Sequence, residues 1–205
     1  MSHYFDHEPA GPSDERSVEV TLPDLSFTMT TDRGVFSHGR LDTGTSLLLR
    51  TAPPLPATGD LLDLGCGAGP IALTMAHRSP GATVHAVDVN ARARELCRRN
   101  AAALGLANVL VSAPDDVDPD LQFAAIWSNP PIRVGKPALH QLLGTWLGRL
   151  APDGSAVLVI QRHLGADSLQ RWLTDQGYRT ERSASRAGFR VLSITTFGGS
   201  QPTER

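Results

Sequence analysis

The sequence predicts an α/β fold: a doubly wound, mostly parallel sheet with helices on both faces, an antiparallel last strand and a small N-terminal β-hairpin extension. Three observations carry this. From Asp60 onward five short apolar runs alternate with stretches of helical period, as a parallel sheet buried on both faces requires. A glycine-rich turn, Gly65-Cys66-Gly67-Ala68-Gly69, joins the first of those runs to a helix. The chain closes on two alternating stretches around Ala187-Gly188, a hairpin without an intervening helix.

The elements follow in order. The first fifteen or so residues are polar and contain Pro9, Gly11 and Pro12, a loosely held lead-in. Val18, Val20 and Leu22 alternate before Pro23-Asp24, and Phe27 and Met29 after it, which predicts a β-hairpin. A glycine-bracketed loop from Gly34 to Gly39 leads through Leu41-Asp42-Thr43-Gly44-Thr45 to a short helix, Ser46 to Arg50, ended by Pro53, Pro54 and Pro56. Residues 1–56 thus form an extension packed on a main domain at 57–198, with a frayed polar tail at 199–205. Within the domain the strand runs are Leu61-Leu62, Thr83 to Val87, Val109 to Val111, Phe123 to Trp127 and Ala156 to Ile160. Helices are expected at Ile71 to His77, from Ala91, and where Leu139, Leu142, Leu143, Trp146, Leu147 and Leu150 recur at three- and four-residue spacing. Tyr178 to Ser185 and Arg190 to Phe197 form the closing hairpin.

Composition excludes several classes. The 205 residues suit one domain, against about 150 per domain, and 40% apolar with 20% charged residues is a globular balance. A net charge of −2 provides no global basic field, so any nucleic-acid contact comes from a local patch. Lys136 is the sole lysine, and coding bias accounts for the arginine excess. No apolar run nears the roughly 18 residues of a membrane helix, and the N-terminus lacks a secretory pattern, so the expected location is cytoplasmic. Cys66 and Cys97 are too few for a disulfide scaffold and lack zinc spacing; both read as small buried hydrophobes, and no metal is expected.

The chemistry gathers at three strand ends. Asp63 stands two residues before the G-x-G-x-G loop, where an acid repels pyrophosphate and attracts an ammonium group, and the loop's helix offers free amides. Asp88 ends the second strand beside the loop, where a carboxylate suits a ribose diol or caps the following helix, as Asn90 also does. Loop and acid together point to an adenosine-containing ligand. The fourth strand ends in Asn129-Pro130-Pro131-Ile132, whose two prolines remove donors and leave nearby carbonyls free to accept.

These motifs resemble those of class I S-adenosylmethionine-dependent methyltransferases that modify exocyclic or amide nitrogens. Gly34-Val35-Phe36-Ser37, Leu41 to Thr45, Asn129 to Lys136 and Gly188 to Leu192 resemble, more narrowly, the methyltransferase-small family, including guanine 2-amino methyltransferases of small-subunit ribosomal RNA and their short single-domain relatives. The likeness runs from about Tyr4 to Phe197 and implies a Rossmann-like sheet of seven strands, the last antiparallel. It implies that Asp63, Gly65 and Gly67 surround the methionine end of the cofactor, that Asp88 holds the ribose and Val89 flanks the adenine, and that Cys66, Asn90 and Ala113 are also in cofactor contact. Asn129, also in cofactor contact, and the Pro130 carbonyl would take the two hydrogens of the target amine, with Pro131 and Ile132 completing the catalytic loop. Phe36, Thr45, Arg133, Lys136 and Arg190 are the expected substrate contacts. Ala113 stands where the family usually has an acid, and Ile132 where many relatives stack an aromatic on the base.

The resemblance implies methyl transfer to the 2-amino group of a guanine in ribosomal RNA, with RNA or an assembled small-subunit particle as partner and a monomer or homodimer as the enzyme. Adenine or a protein glutamine amide would be served by the same Asn-Pro-Pro geometry. An idle cofactor-binding module needs Asp63 and Asp88 but not Asn129, and an oxidoreductase is disfavoured by the glycine spacing. His38 reads as a solvent-facing loop residue, His85 and His140 not as metal ligands, and Arg92, Arg94, Arg98 and Arg99 as a solvated helix face or a phosphate track.

Overall fold

A bend at Pro23-Asp24 folds β1 (Arg16–Thr21) antiparallel onto β2 (Ser26–Thr31), and α1 (Thr43–Thr51) follows, capped by the Asp42 carboxylate on the Thr45 amide. The chain continues through β3 (Thr58–Leu64), α2 (Pro70–Arg78), β4 (Gly81–Val87), α3 (Ala91–Ala103), β5 (Val109–Ser112) and β6 (Phe123–Ser128). It ends with α4 (Lys136–Leu147), β7 (Leu150–Gln161), α5 (Ala166–Asp175), β8 (Tyr178–Arg186) and β9 (Phe189–Thr196). This computed structural model describes residues 13–33, 35 and 39–196, except the side chain of Arg133. Phe36, His38, the lead-in before residue 13 and the tail from 197 lie outside the described residues.

The seven-stranded sheet has the order β5-β4-β3-β6-β7-β9-β8. β9 inserts between β7 and β8 and is antiparallel to both, so a hairpin that closes the chain also reverses the sheet's direction. Alternation divides the strand residues between two cores. Leu61, Ala125, Trp127, Val157, Val159 and Val191 face α1, α2, α3 and the hairpin. Leu62, Ile126, Ala156, Leu158, Ile160 and Leu192 face α4 and α5. The central strands are therefore apolar on both sides, as parallel strands under two helix layers must be.

Helix α1 opens three residues earlier than expected, at Thr43, and β7 reaches back to Leu150 from the expected Ala156; two further boundaries bear on the helix layer and the site. The helical spacing that included Leu150 stops at Leu147, because Gly148 caps α4 and Leu150 already opens β7. The run Leu61-Leu62 is the centre of a strand reaching Leu64, which moves Asp63 from the loop onto the strand. Among the described residues no helix is long and apolar enough to cross a membrane.

Candidate active site

The ends of β3, β4 and β5 are level, since Leu64 pairs with Val87 and Val87 with Ser112. Register therefore sets Gly65, Asp88 and Ala113 side by side on one edge of the sheet. Gly65, Gly67 and Gly69 take φ of 77°, 56° and 99°, a left-handed backbone that favours glycine. A Cβ on Gly65 would meet nothing within 4 Å, so the loop presents open space, whereas one on Gly69 would lie 2.7 Å from the Cys97 sulfur. The amides expected to be free are largely engaged. Gly65 and Cys66 donate to the Val87 carbonyl at 2.8 and 3.0 Å, Gly67 to Asp88 Oδ2 at 2.9 Å and Gly69 to Cys66 at 2.9 Å.

Asp63 differs most from its expected place. As the penultimate residue of β3 it faces α2, like Leu61, and it is fully buried. Its Oδ2 accepts from the Ala72 amide at 2.8 Å, capping a helix whose own N-cap, Gly69, has no side chain to offer. Its Oδ1 has no partner. Burial pushes the carboxyl from 3.8 up to about 8; the Ala72 bond opposes this and the Asp88 charge adds to it. Asp88, 5% exposed, accepts from Gly67 and from the Asn90 amide at 2.9 Å each. Burial raises its pKa, against the pull of those bonds and of Arg94. Arg94 donates to the carbonyls of Asp88 and half-buried Val89 at 2.8 Å each, and the Asn90 side chain caps α3 through Ala93 at 3.2 Å. Two buried carboxyl groups thus lie under the glycine loop, Asp63 protonated below about pH 8 and Asp88 hydrogen-bonded to the loop, an arrangement that suits a ligand combining a cationic sulfonium with a ribose diol.

Asn129 begins the Asn-Pro-Pro turn after β6. Its Nδ2 donates to Asp42 Oδ2 at 2.9 Å and to Thr45 Oγ1 at 3.0 Å. A carboxylate accepts and cannot donate, so this contact fixes which way the amide faces and leaves Oδ1 as the unengaged acceptor. Asn129, Thr45, Gly65, Cys66 and Gly67 line one narrow cleft, together with the hairpin residues Val18 and Met29. Pro130 is buried, while Pro131 and Ile132 are half-buried.

The remaining expected residues are scattered. Thr45 is 3% exposed and holds Asn129. Lys136 is exposed at the first residue of α4, and the Arg133 side chain lies outside the described set. Arg190 is not brought to the cleft: it shares a face with Leu192 and Ile194, beneath α5, and pairs with Asp167. Cys66 and Cys97 are buried free thiols, and the neighbouring Cys97, with burial, pushes Cys66 well above the ordinary thiol range. The α3 arginines are engaged by Asp32, backbone carbonyls, Glu95 and Glu15, which leaves no open track. His85 bonds Asp60 at 2.8 Å and His140 stacks on Trp172. Sequence reasoning missed Asp42 and Arg40, both lining the cleft. Asp42 carries a local signal, an Asp three residues before Thr45 at the start of an apolar helix.

A glycine loop on β3, an acid at the end of β4 and an Asn-Pro-Pro turn after β6 of this sheet define an S-adenosylmethionine-dependent methyltransferase. Residues 26–193 match the methyltransferase small domain, and the chain belongs to that family. It is 38% identical over 169 residues to the uncharacterized protein YbxB of Bacillus subtilis (strain 168), covering 81% of this chain and 84% of that protein. It is 38% identical over 175 residues to the ribosomal RNA small subunit methyltransferase C of Aeromonas hydrophila, covering 82% of this chain. The match spans only 49% of that relative's length. The fold is also that of the T. thermophilus 16S rRNA N2 methyltransferase (RsmC) in complex with AdoMet and guanosine, with a TM-score of 0.74 and 24% identity over 92% of this chain and 52% of that one.

Proposed function

We propose that the chain methylates an exocyclic amine, the 2-amino group of a guanine in small-subunit ribosomal RNA. The observation that carries this is the polarity of Asn129. With Nδ2 held by Asp42 and Thr45, Oδ1 is free to accept one amine hydrogen, and the Pro130 carbonyl takes the second. The nitrogen lone pair is then directed away from both acceptors. S-adenosylmethionine, when bound, supplies an electrophilic methyl group on its sulfonium. Alignment alone is worth effective molarities of about 10⁵ M or more, so no strong base is required and the amine proton leaves to solvent after transfer.

Gly65 and Gly67 give the cofactor its approach, and Asp88 keeps carboxylate lone pairs for hydroxyl groups beyond its two amide bonds. The guanine reading is supported by the names of the half-length relatives and of the RsmC structure. Incubation with methyl-labelled S-adenosylmethionine and naked ribosomal RNA, isolated small subunits or total protein from a strain lacking the enzyme tests it. Label recovered as 2-methylguanosine supports the reading; label in adenosine or glutamine retains the Asn129 chemistry and replaces the substrate. Asp88→Ala is expected to weaken cofactor binding, and Asn129→Ala to abolish turnover with binding nearly intact. Equal loss of binding in both variants rejects the role given to Asn129.

A further inference from the structure

Most cations among the described residues are spent internally. Arginines 16, 33, 78, 92, 98, 99, 179, 182 and 190 pair with carboxylates. Arg50, Arg94 and Arg149 donate to backbone carbonyls. Five described cations have neither kind of partner: Arg40, Lys136, Arg162, Arg171 and Arg186, and all but Arg171, on the outer side of α5, lie at the sheet end that holds the cleft.

A chain of contacts connects these four. Arg40 lines the cleft with Asn129, and Lys136 opens α4 just beyond the Asn-Pro-Pro turn. Asn129 is held by Asp42; two residues on, Gly44 lies against the Phe189 ring, where an added Cβ would be 2.7 Å from Cε1. Phe189 in turn pairs with Gln161 of β7 and with Arg186 of β8. Arg162 follows Gln161, and its amide bonds the Gly188 carbonyl at 2.8 Å. Arg162 and Arg186 thus flank the β8–β9 turn, with β8 three strand spacings, about 15 Å, from β6. The other end of this edge has the opposite sign: Asp115 and Asp116 are exposed after β5.

We infer that Arg40, Lys136, Arg162 and Arg186 form a phosphate-tracking rim that seats an RNA strand leaving the amine site over β7, β9 and β8, away from the β5 edge. This rests on the RNA reading above. Exposed guanidinium and ammonium groups without internal partners are available to phosphates at no cost of broken ion pairs, and Asp115 and Asp116 repel the strand from the opposite direction. Such contacts fix the path of the backbone and leave the base to the cleft.

Strand β8 supplies its own control, since Arg179 lies at its other end and is already paired with Glu181. The test is fluorescence anisotropy of a labelled, guanine-containing single-stranded RNA from about 50 to 200 mM salt, alongside calorimetric S-adenosylmethionine binding and methyl-transfer kinetics. Arg162→Gln and Arg186→Gln are each expected to weaken RNA binding several-fold, to lower the log–log salt slope by about 0.7 and to raise KM for RNA. Their kcat and cofactor affinity should not change, and Arg179→Gln should match the wild type throughout. Wild-type RNA binding and transfer with unaltered affinity and slope in both rim variants would overturn the rim while leaving the RNA reading intact. A wild type that binds S-adenosylmethionine and methylates a glutamine-containing peptide, but binds no RNA, overturns both.

Discussion

Replacing Asp63 by asparagine isolates the cost of a buried carboxyl. The native group titrates near 8 instead of 3.8, so between about pH 4 and 8 the folded chain retains a proton that the unfolded chain releases. Stability is therefore full below pH 4 and falls as pH rises, by about 1.4 kcal/mol per unit, or about 3 kcal/mol between pH 5 and pH 7. Above pH 8 this contribution is constant. The amide of Asp63→Asn still accepts from Ala72 but has no proton to lose, so its stability should decline less over the same interval. Asp88, raised in the same direction, leaves a residual slope in both proteins. Urea unfolding midpoints at pH 5, 6, 7 and 8 measure the difference. The cofactor adds a second readout, because a sulfonium and an ammonium favour the ionised carboxyl: affinity should rise with pH toward 8, with proton uptake by buffer seen in calorimetry. Identical pH slopes in the two proteins would refute this account, and would mean that Asp63 is ionised in the native state.

Other perturbations act on the clasp between the extension and the domain. Asp42→Ala removes the α1 cap, at about 1 kcal/mol, and frees the Asn129 amide to rotate; kcat should fall with cofactor affinity unchanged. Asp42→Asn preserves the cap, so its melting temperature should stay near wild type while kcat still declines, as a neutral bond replaces a charge-assisted one. Gly44→Ala places a methyl 2.7 Å from the Phe189 ring and should destabilise by about 1 to 3 kcal/mol, partly restored by Phe189→Leu in a double-mutant cycle. Asn100→Ala deletes bonds to the Thr30 amide, the Thr30 carbonyl and the Ala68 carbonyl, of 2.8, 2.9 and 2.9 Å. A loss of about 2 to 4 kcal/mol is expected in denaturant unfolding, with earlier proteolysis of the hairpin.

The sequence was most legible where its signals are local. Alternation about Pro23-Asp24 and about Ala187-Gly188 marks both hairpins, and glycine punctuation after Leu64 marks the cofactor loop, because a turn is decided by a few neighbouring residues. Less legible was anything set by residues far apart. The apolar run Leu61-Leu62 marks only the centre of the first strand, so Asp63 reads as a loop residue; two further paired residues turn it under α2. The resemblance makes Arg190 a substrate contact, but strand parity sends it to α5. The roles of Asp42 and Asn100 depend on partners 87 and 70 residues away, which no local pattern contains. Nor does composition reveal that the α3 arginines are spent on acids and carbonyls while Arg162 and Arg186 are not.

That 87-residue separation orders the protein's birth. As the chain leaves the ribosome, the glycine loop and Asp88 emerge 21 residues apart, while Asn129 arrives long after Asp42. With the roles proposed above, a nascent chain acquires its cofactor contacts before the residue that directs an amine, and Phe189, the buttress of Gly44, arrives later still. Arrested chains of graded length should gain S-adenosylmethionine binding first and methyl transfer only once β9 is in place.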